Sequence, residues 1–190
     1  FGSINAPCDR VTLIGMMGTG KSKFGRLVAN NLSFNFYDVD TLIEKKFKTT
    51  IKDLFQKHGE SFFRDVEKET IKELVFKIKK NNEKVIISIG GGGFDNIESR
   101  ELLLNYTRVI WLNTPINILT KRVGDGSKRP MIKGDVTEAI NHLLKKRIKF
   151  YSLCHYKINT NKLSQNKVAE KIINIISYKS NKVQNEIRHN

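Results

Sequence analysis

The sequence predicts an α/β fold: a three-layer, five-stranded parallel sheet with a phosphate-binding P-loop, flanking helices and a mobile lid. Three observations carry this reading. Strand-like and helix-like segments alternate along the 190 residues, the order that produces a parallel sheet covered by helices. The run KVIISIG (84–90) is uninterrupted and β-branched, as a strand buried on both faces requires. The stretch GMMGTGKS (15–22) fits G-x-x-x-x-G-K-[ST] and stands between a strand-like and a helix-like segment.

The elements follow in order. RVTLIG (10–15) is a short apolar run that ends at the Gly-rich loop. KSKFGRLVANNL (21–32) places Phe24, Leu27, Val28 and Leu32 at helical spacing. FNFYDVD (34–40) reads as a second strand ending in two aspartates. Short helical pieces are expected at 41–47 and 51–57. A long one follows at 60–80, with Phe63, Val66, Thr70, Leu74 and Ile78 on one stripe. KVIISIG carries the mark of a central, buried strand, and it runs into four glycines, 90–93. A helix near 97–104, the strand TRVIWLN (107–113) and a helix opened by Pro115 come next. GDGSKRPMIKGD (124–135) is polar, Gly-rich and Pro-interrupted, so a mobile loop is expected there. A helix at 136–151, the fifth strand YKINT (156–160) and an amphipathic helix at 164–177 close the domain. The polar end, 178–190, reads as a loose tail. No repeat or linker divides the chain, so one domain is expected over 1–190, with its core at about 10–177.

Composition narrows the function classes. Thirty-four basic against 19 acidic side chains give a formal charge of +15. The excess is mostly Lys in scattered runs, which reads as a solvated surface. No aromatic-and-basic module accompanies it, so nucleic acid is not an expected partner. No apolar run is long enough to span a bilayer, and no membrane partner is expected. Cys8 and Cys154 lack metal-ligand spacing and fit a reduced compartment. His58, His142, His155 and His189 are scattered without ligand spacing and read as structural or exposed. FGSINAPCDR (1–10) does not read as a signal peptide, although the start without Met suggests trimming. The default location is the cytoplasm, with a plastid as the alternative should a transit segment have been removed. A monomer is the default assembly.

Gly15, Gly18, Thr19 and Gly20 form a loop whose amides can crowd around phosphate oxygens at a helix N-terminus. Lys21 is expected to reach the β- and γ-phosphates of a nucleotide, and Ser22 to ligate Mg²⁺. Lys23 stands where such loops often carry a second hydroxyl residue. Asp38 and Asp40 lie at the carboxyl end of the second strand, the edge that faces the ligand crevice in open α/β sheets. Strand alternation would place both on one side, where one serves Mg²⁺ and the other accepts a proton. An N-cap role for Asp40 would explain one of the two. The glycines at 90–93 suggest close approach to a small ligand. Arg64, whose bland reading is a surface pair with Asp65 or Glu60, and Arg147 are candidates for holding a carboxylate through a planar fork. Arg129, flanked by Gly124, Gly126 and Pro130, suits a lid that closes on a transferring phosphoryl.

Together these segments resemble the shikimate kinases, of the nucleoside-monophosphate-kinase-like P-loop group. The matching stretches are LIGMMGTGKS, FYDVDTLIE, GESFFRD, SIGGGG, KRP and KKRIKFY, in the family's order over about residues 10–177. The resemblance implies that ATP phosphorylates the 3-hydroxyl of shikimate. It implies that Lys21 and the loop amides hold ATP, while Ser22 and Asp38 position Mg²⁺. Asp40 matches the residue at the reacting hydroxyl, and Arg64 and Arg147 match the carboxylate clamp. Gly90, Gly91 and Gly92 match the loop under the substrate hydroxyls. Arg129 matches the lid arginine at the transferring phosphoryl, and Arg122 the adenine-stacking arginine. Two residues depart from the family pattern. Lys23 replaces a hydroxyl residue, and Gly93 lengthens the glycine run. The rival readings are a gluconate or nucleoside monophosphate kinase, a catalytically silent relative, and a nucleic-acid binder. The silent relative should have lost some of Lys21, Asp38, Asp40, Arg64, Arg129 and Arg147, yet all six are present.

Overall fold

The strands are β1 (Arg10–Ile14), β2 (Asn35–Asp38), β3 (Val85–Ser88), β4 (Arg108–Asn113) and β5 (Tyr156–Asn159). The helices are α1 (Lys21–Leu32), α2 (Val39–Phe47), α3 (Ile51–Lys80), α4 (Ile97–Tyr106), α5 (Ile116–Val123), α6 (Val136–Tyr151) and α7 (Gln165–Ile187). The computed structural model describes residues 6–124, 131, 132 and 134–187, with side chains described as far as residue 177. The expected lid, with Arg129 in it, therefore lies largely outside the described residues.

All strand pairs are parallel, and the sheet order is β2-β3-β1-β4-β5. β1 is thus the central strand, and β3 runs beside it between β1 and β2. Every residue of β1 and β3 is buried. Strand alternation divides their side chains between two cores. Val11, Leu13, Ile86, Ile110 and Leu112 pack with Val28, Val168 and Ile172 of α1 and α7. Ile14, Val85, Ile87, Val109 and Trp111 pack with residues of α3, α4 and α6 such as Ile71, Leu103 and Tyr151. Both faces are covered, so the continuous apolar runs have a physical cause: neither face meets water.

The helix boundaries follow local chemistry. α1 stops where Ser33 takes a left-handed conformation and its N–H bonds the Ala29 and Asn30 carbonyls. Thr50 caps α3 by accepting the Asp53 N–H. Gly59 breaks α3 with φ 81°, ψ 175°, which separates the pieces expected at 51–57 and 60–80. An L side chain rarely takes that backbone conformation, so the break requires glycine.

Two expectations change. The second strand ends at Asp38 rather than at residue 40, because Asp38 accepts the Thr41 N–H and starts α2. The predicted loose tail is helical as far as Ile187. No Gly or Pro interrupts residues 165–187, so nothing in the chain stops the helix.

The loop after β1 and the glycines after β3 meet at the carboxyl edge of the sheet. The chain leaves β1 toward β2 and leaves β3 toward β4. This divergence between adjacent strands opens the crevice in which α/β proteins bind ligands.

Candidate active site

The loop from Gly15 to Gly20 passes so close to β4 that a Cβ on Gly15 would lie 2.6 Å from the Leu112 carbonyl oxygen. Gly15 has φ 144° and Gly20 has φ 89°, so the loop bends through conformations that side chains disfavour. Thr19 is buried, and its N–H bonds the Met16 carbonyl at 3.3 Å. Lys21 is buried at the start of α1 and donates to the carbonyls of Gly15 at 2.8 Å and Met16 at 3.0 Å. Its ammonium is thereby held against the loop. Lys23 is exposed on the next step of the helix. Arg122, also exposed, donates to the Gly18 carbonyl at 3.2 Å.

Ser22 donates a short hydrogen bond to the Asp38 carboxylate, and its Oγ lies 3.3 Å from Ser88 Oγ. Asp38 therefore has two tasks: it caps α2 through Thr41 and orients Ser22. Two hydroxyls and a carboxylate are hard oxygen donors. Mg²⁺ characteristically takes one or two such ligands and completes its octahedron with water and phosphate. The donor set fits that ion. Among the described residues, no group of three or more His, Cys, Asp or Glu side chains is placed to hold a metal by itself.

Asp40 is not the alternation partner of Asp38. It sits in the first turn of α2, because the strand has already ended. The helical turn nevertheless carries both side chains to the same cavity, of about 280 Å³, with Lys21, Ser22 and Ser88. A second cavity, of about 430 Å³, is lined by Asp40, Phe55, Phe63, Arg64, Glu67 and Arg147. The two share Met17, Asp40, Gly90 and Gly91. Asp40 thus stands at the junction between the phosphate loop and a pocket sized for a small metabolite.

Arg64 projects from α3 and is bound to Glu67 at 2.6 Å and to Glu60 at 3.5 Å. Of the two surface partners considered, Glu60 is met and Asp65 is not, because adjacent helix positions face apart whereas i,i+3 and i,i+4 positions meet. Burial works against the Arg64 charge, yet Glu67, Glu60 and Asp95 hold its pKa above the ordinary value. Burial also raises the Glu67 carboxyl, and more strongly than Arg64 lowers it.

Arg147 is 2% exposed, whereas its neighbours Lys145 and Lys146 face solvent. Its Nε donates to Asp95 at 3.2 Å. Burial raises the Asp95 carboxyl against the pull of Arg147. Tyr151, one turn beyond Arg147, donates to the Gly91 carbonyl.

The glycine loop explains its own composition. None of Gly90 to Gly93 has a positive φ. Instead, charged side chains crowd them. A Cβ on Gly92 would lie 2.6 Å from the Arg64 guanidinium, one on Gly91 3.0 Å from Arg147 Nη1, and one on Gly93 3.1 Å from Glu67 Oε1. The extra Gly93 is accordingly packing space for Glu67.

Sequence reasoning missed Glu67, Asp95 and Tyr151. Glu67 was discoverable from its i+3 spacing to Arg64. Asp95 and Tyr151 had no local signal, since their partners lie 52 and 60 positions away. The 430 Å³ cavity also differs from the basic surface that the composition suggests. Lys52, Arg64 and Arg147 are balanced there by Asp40, Glu44 and Glu67. His155 is structural as expected: its Nδ1 accepts the Val109 N–H at 2.9 Å, extending the β4–β5 pairing. No helix among the described residues is long and apolar enough to cross a membrane.

Known proteins resemble this chain in sequence and fold. The family model described as shikimate kinase matches residues 17–177. A shikimate kinase of Caldicellulosiruptor saccharolyticus is 42% identical over 174 residues, covering 90% of this chain and 98% of the relative. Among solved structures, a shikimate kinase from Acinetobacter baumannii in complex with shikimate superposes with a TM-score of 0.83 at 31% identity. That match covers 93% of this chain and 96% of the other. A shikimate kinase of Aquifex aeolicus gives 0.77 at 32% identity, covering 90% and 98%. The extent of these matches, over the segments that build both cavities, places this chain in the shikimate kinase family.

Proposed function

We propose that this chain transfers the γ-phosphoryl group of ATP to the 3-hydroxyl of shikimate, giving shikimate 3-phosphate and ADP. The observation that carries the reading is the meeting of the two cavities at Asp40, Gly90 and Gly91. A donor phosphate beside Lys21 and an acceptor hydroxyl in the neighbouring pocket would face each other across that junction.

Each residue then has a task. The amides of Gly15, Gly18, Thr19 and Gly20 cradle the phosphates, and Lys21 turns its ammonium from the loop carbonyls to the transferring group. Lys23 contributes its backbone N–H. Ser22 and Asp38 would hold Mg²⁺, which neutralises charge on the β- and γ-phosphates when bound. Asp40 accepts the proton of the 3-hydroxyl as its oxygen bonds to phosphorus and the bond to the ADP oxygen breaks. Arg64 and Arg147 bind the carboxylate of shikimate, and Gly90, Gly91 and Gly92 leave room for its hydroxyls beside them. Arg122 stacks on adenine. Arg129, outside the described residues, is assigned by family resemblance to the closing lid, where its charge would stabilise the phosphoryl group. The proposed partners are ATP and shikimate, with a monomer acting alone.

The test is ADP release by the purified chain with ATP and Mg²⁺. Release is expected on adding shikimate and not without it. Equal turnover with gluconate or a nucleoside monophosphate would sink the acceptor assignment. An Arg147→Ala variant is expected to raise the KM for shikimate and leave that for ATP nearly unchanged.

A further inference from the structure

Arg147 is a buried guanidinium, and its orientation has to be held by something. A guanidinium presents two bidentate edges, one through Nε and one through its two Nη atoms. Asp95 occupies the first, accepting from Nε at 3.2 Å. No other carboxylate of the described residues lies within ion-pair distance of Arg147. Nη1 is turned toward the loops, 4.0 Å from the thioether of Met16 and facing Gly91, and the Tyr151 hydroxyl is a further neighbour.

Asp95 is itself anchored. Its N–H bonds the Gly92 carbonyl at 3.0 Å. Arg100 Nη1 bonds the carbonyls of Phe94 and Asp95, each at 3.0 Å, and its guanidinium lies over the Phe150 ring at 4.7 Å. The turn that carries Asp95 is thus tied to the glycine loop, to α4 and to the last turn of α6.

We propose that Asp95 is a positioning residue for the acceptor clamp: it takes the Nε edge of Arg147 and so directs the Nη edge at the acceptor's carboxylate. This rests on the reading that Arg147 binds that carboxylate. A single torsion about the Nε side would otherwise let the fork turn away. A guanidinium that grips a carboxylate through one hydrogen bond instead of two holds it less strongly and no longer fixes its direction.

Steady-state kinetics test it. Asp95→Ala is expected to raise the KM for shikimate about tenfold, with kcat and the KM for ATP within about twofold. Asp95→Asn keeps an oxygen for Nε and is expected to recover most of the loss. A purely structural role would not divide KM from kcat in this way, nor be rescued by the amide. An unchanged or lowered KM in Asp95→Ala overturns the proposal, as does an Asn variant impaired as much as the Ala variant. Should Asp95→Ala not fold, Asp95→Glu carries the test. It keeps the charge but displaces the carboxylate by one methylene, so a raised KM supports positioning and a normal one refutes it. Arg147→Ala separates the two levels. If it leaves the shikimate KM normal, the clamp reading and this inference fall together. If it raises that KM while Asp95→Ala does not, only this inference falls.

Discussion

The Tyr151 hydroxyl donates to the Gly91 carbonyl at 2.5 Å, joining the last turn of α6 to the glycine loop. Tyr151 is fully buried, with its ring 5.6 Å from that of Trp111. Burial raises its phenol above the ordinary pKa, so the donor proton stays in place. The bond therefore sets the distance between Arg147 and the loop that it faces.

Tyr151→Phe keeps the ring and removes the donor. The Gly91 carbonyl is left without it in a confined place, at a cost of about 1–3 kcal/mol. Urea unfolding should show that loss, together with a several-fold higher shikimate KM. Wild-type values for both would mean that packing alone holds the loop.

Gly92→Ala places a methyl group where the Arg64 guanidinium now lies. The displaced atoms are the end of a long, flexible side chain, so folding should suffer little. The Arg64–Glu67 pair should be disturbed, and the shikimate KM should rise roughly tenfold while that for ATP holds. A variant that binds shikimate normally would remove Arg64 from the acceptor site.

Asp40→Asn replaces the group at the junction of the cavities with one of equal size that cannot take a proton. It should lower kcat about a hundredfold or more, with thermal unfolding nearly unchanged. Near-normal turnover would remove Asp40 from proton transfer.

Glu67 gives a pH signature. Its folded pKa is raised above the ordinary 4.5, chiefly by burial. The native state therefore holds more protons than the unfolded chain between that value and the folded one. Stability present below the unfolded pKa is lost as pH rises through this window. Glu67→Gln lacks the titration. Its stability relative to wild type should rise with pH across the window and level off above it, measured by urea unfolding at a series of pH values. A difference independent of pH would show that Glu67 does not titrate differently on folding.

The phosphate loop and the alternating elements were legible because their causes are local. Lys21 and Ser22 need a helix N-terminus, and the strand before and helix after them are written in adjacent residues. The split between Asp38 and Asp40 was harder. Two aspartates separated by one residue fit a strand edge, and only the Asp38 bond to the Thr41 N–H shows where the helix begins. The glycine run signals a place of close approach. The charged side chains that approach it come from α3 and α6, far away in sequence.

The sequence by itself determined the class of chemistry: a nucleotide loop, acidic groups beside it, and two arginines suited to a carboxylate. Hydrogen-bonding patterns within one loop or helix are enough for that. Tertiary structure alone decided the strand order, the junction at Asp40, and the pairing of Arg147 with Asp95 across 52 positions. These depend on which buried faces can be filled together. A buried charge has to find its counterpart wherever packing brings one, and no local spacing records that choice.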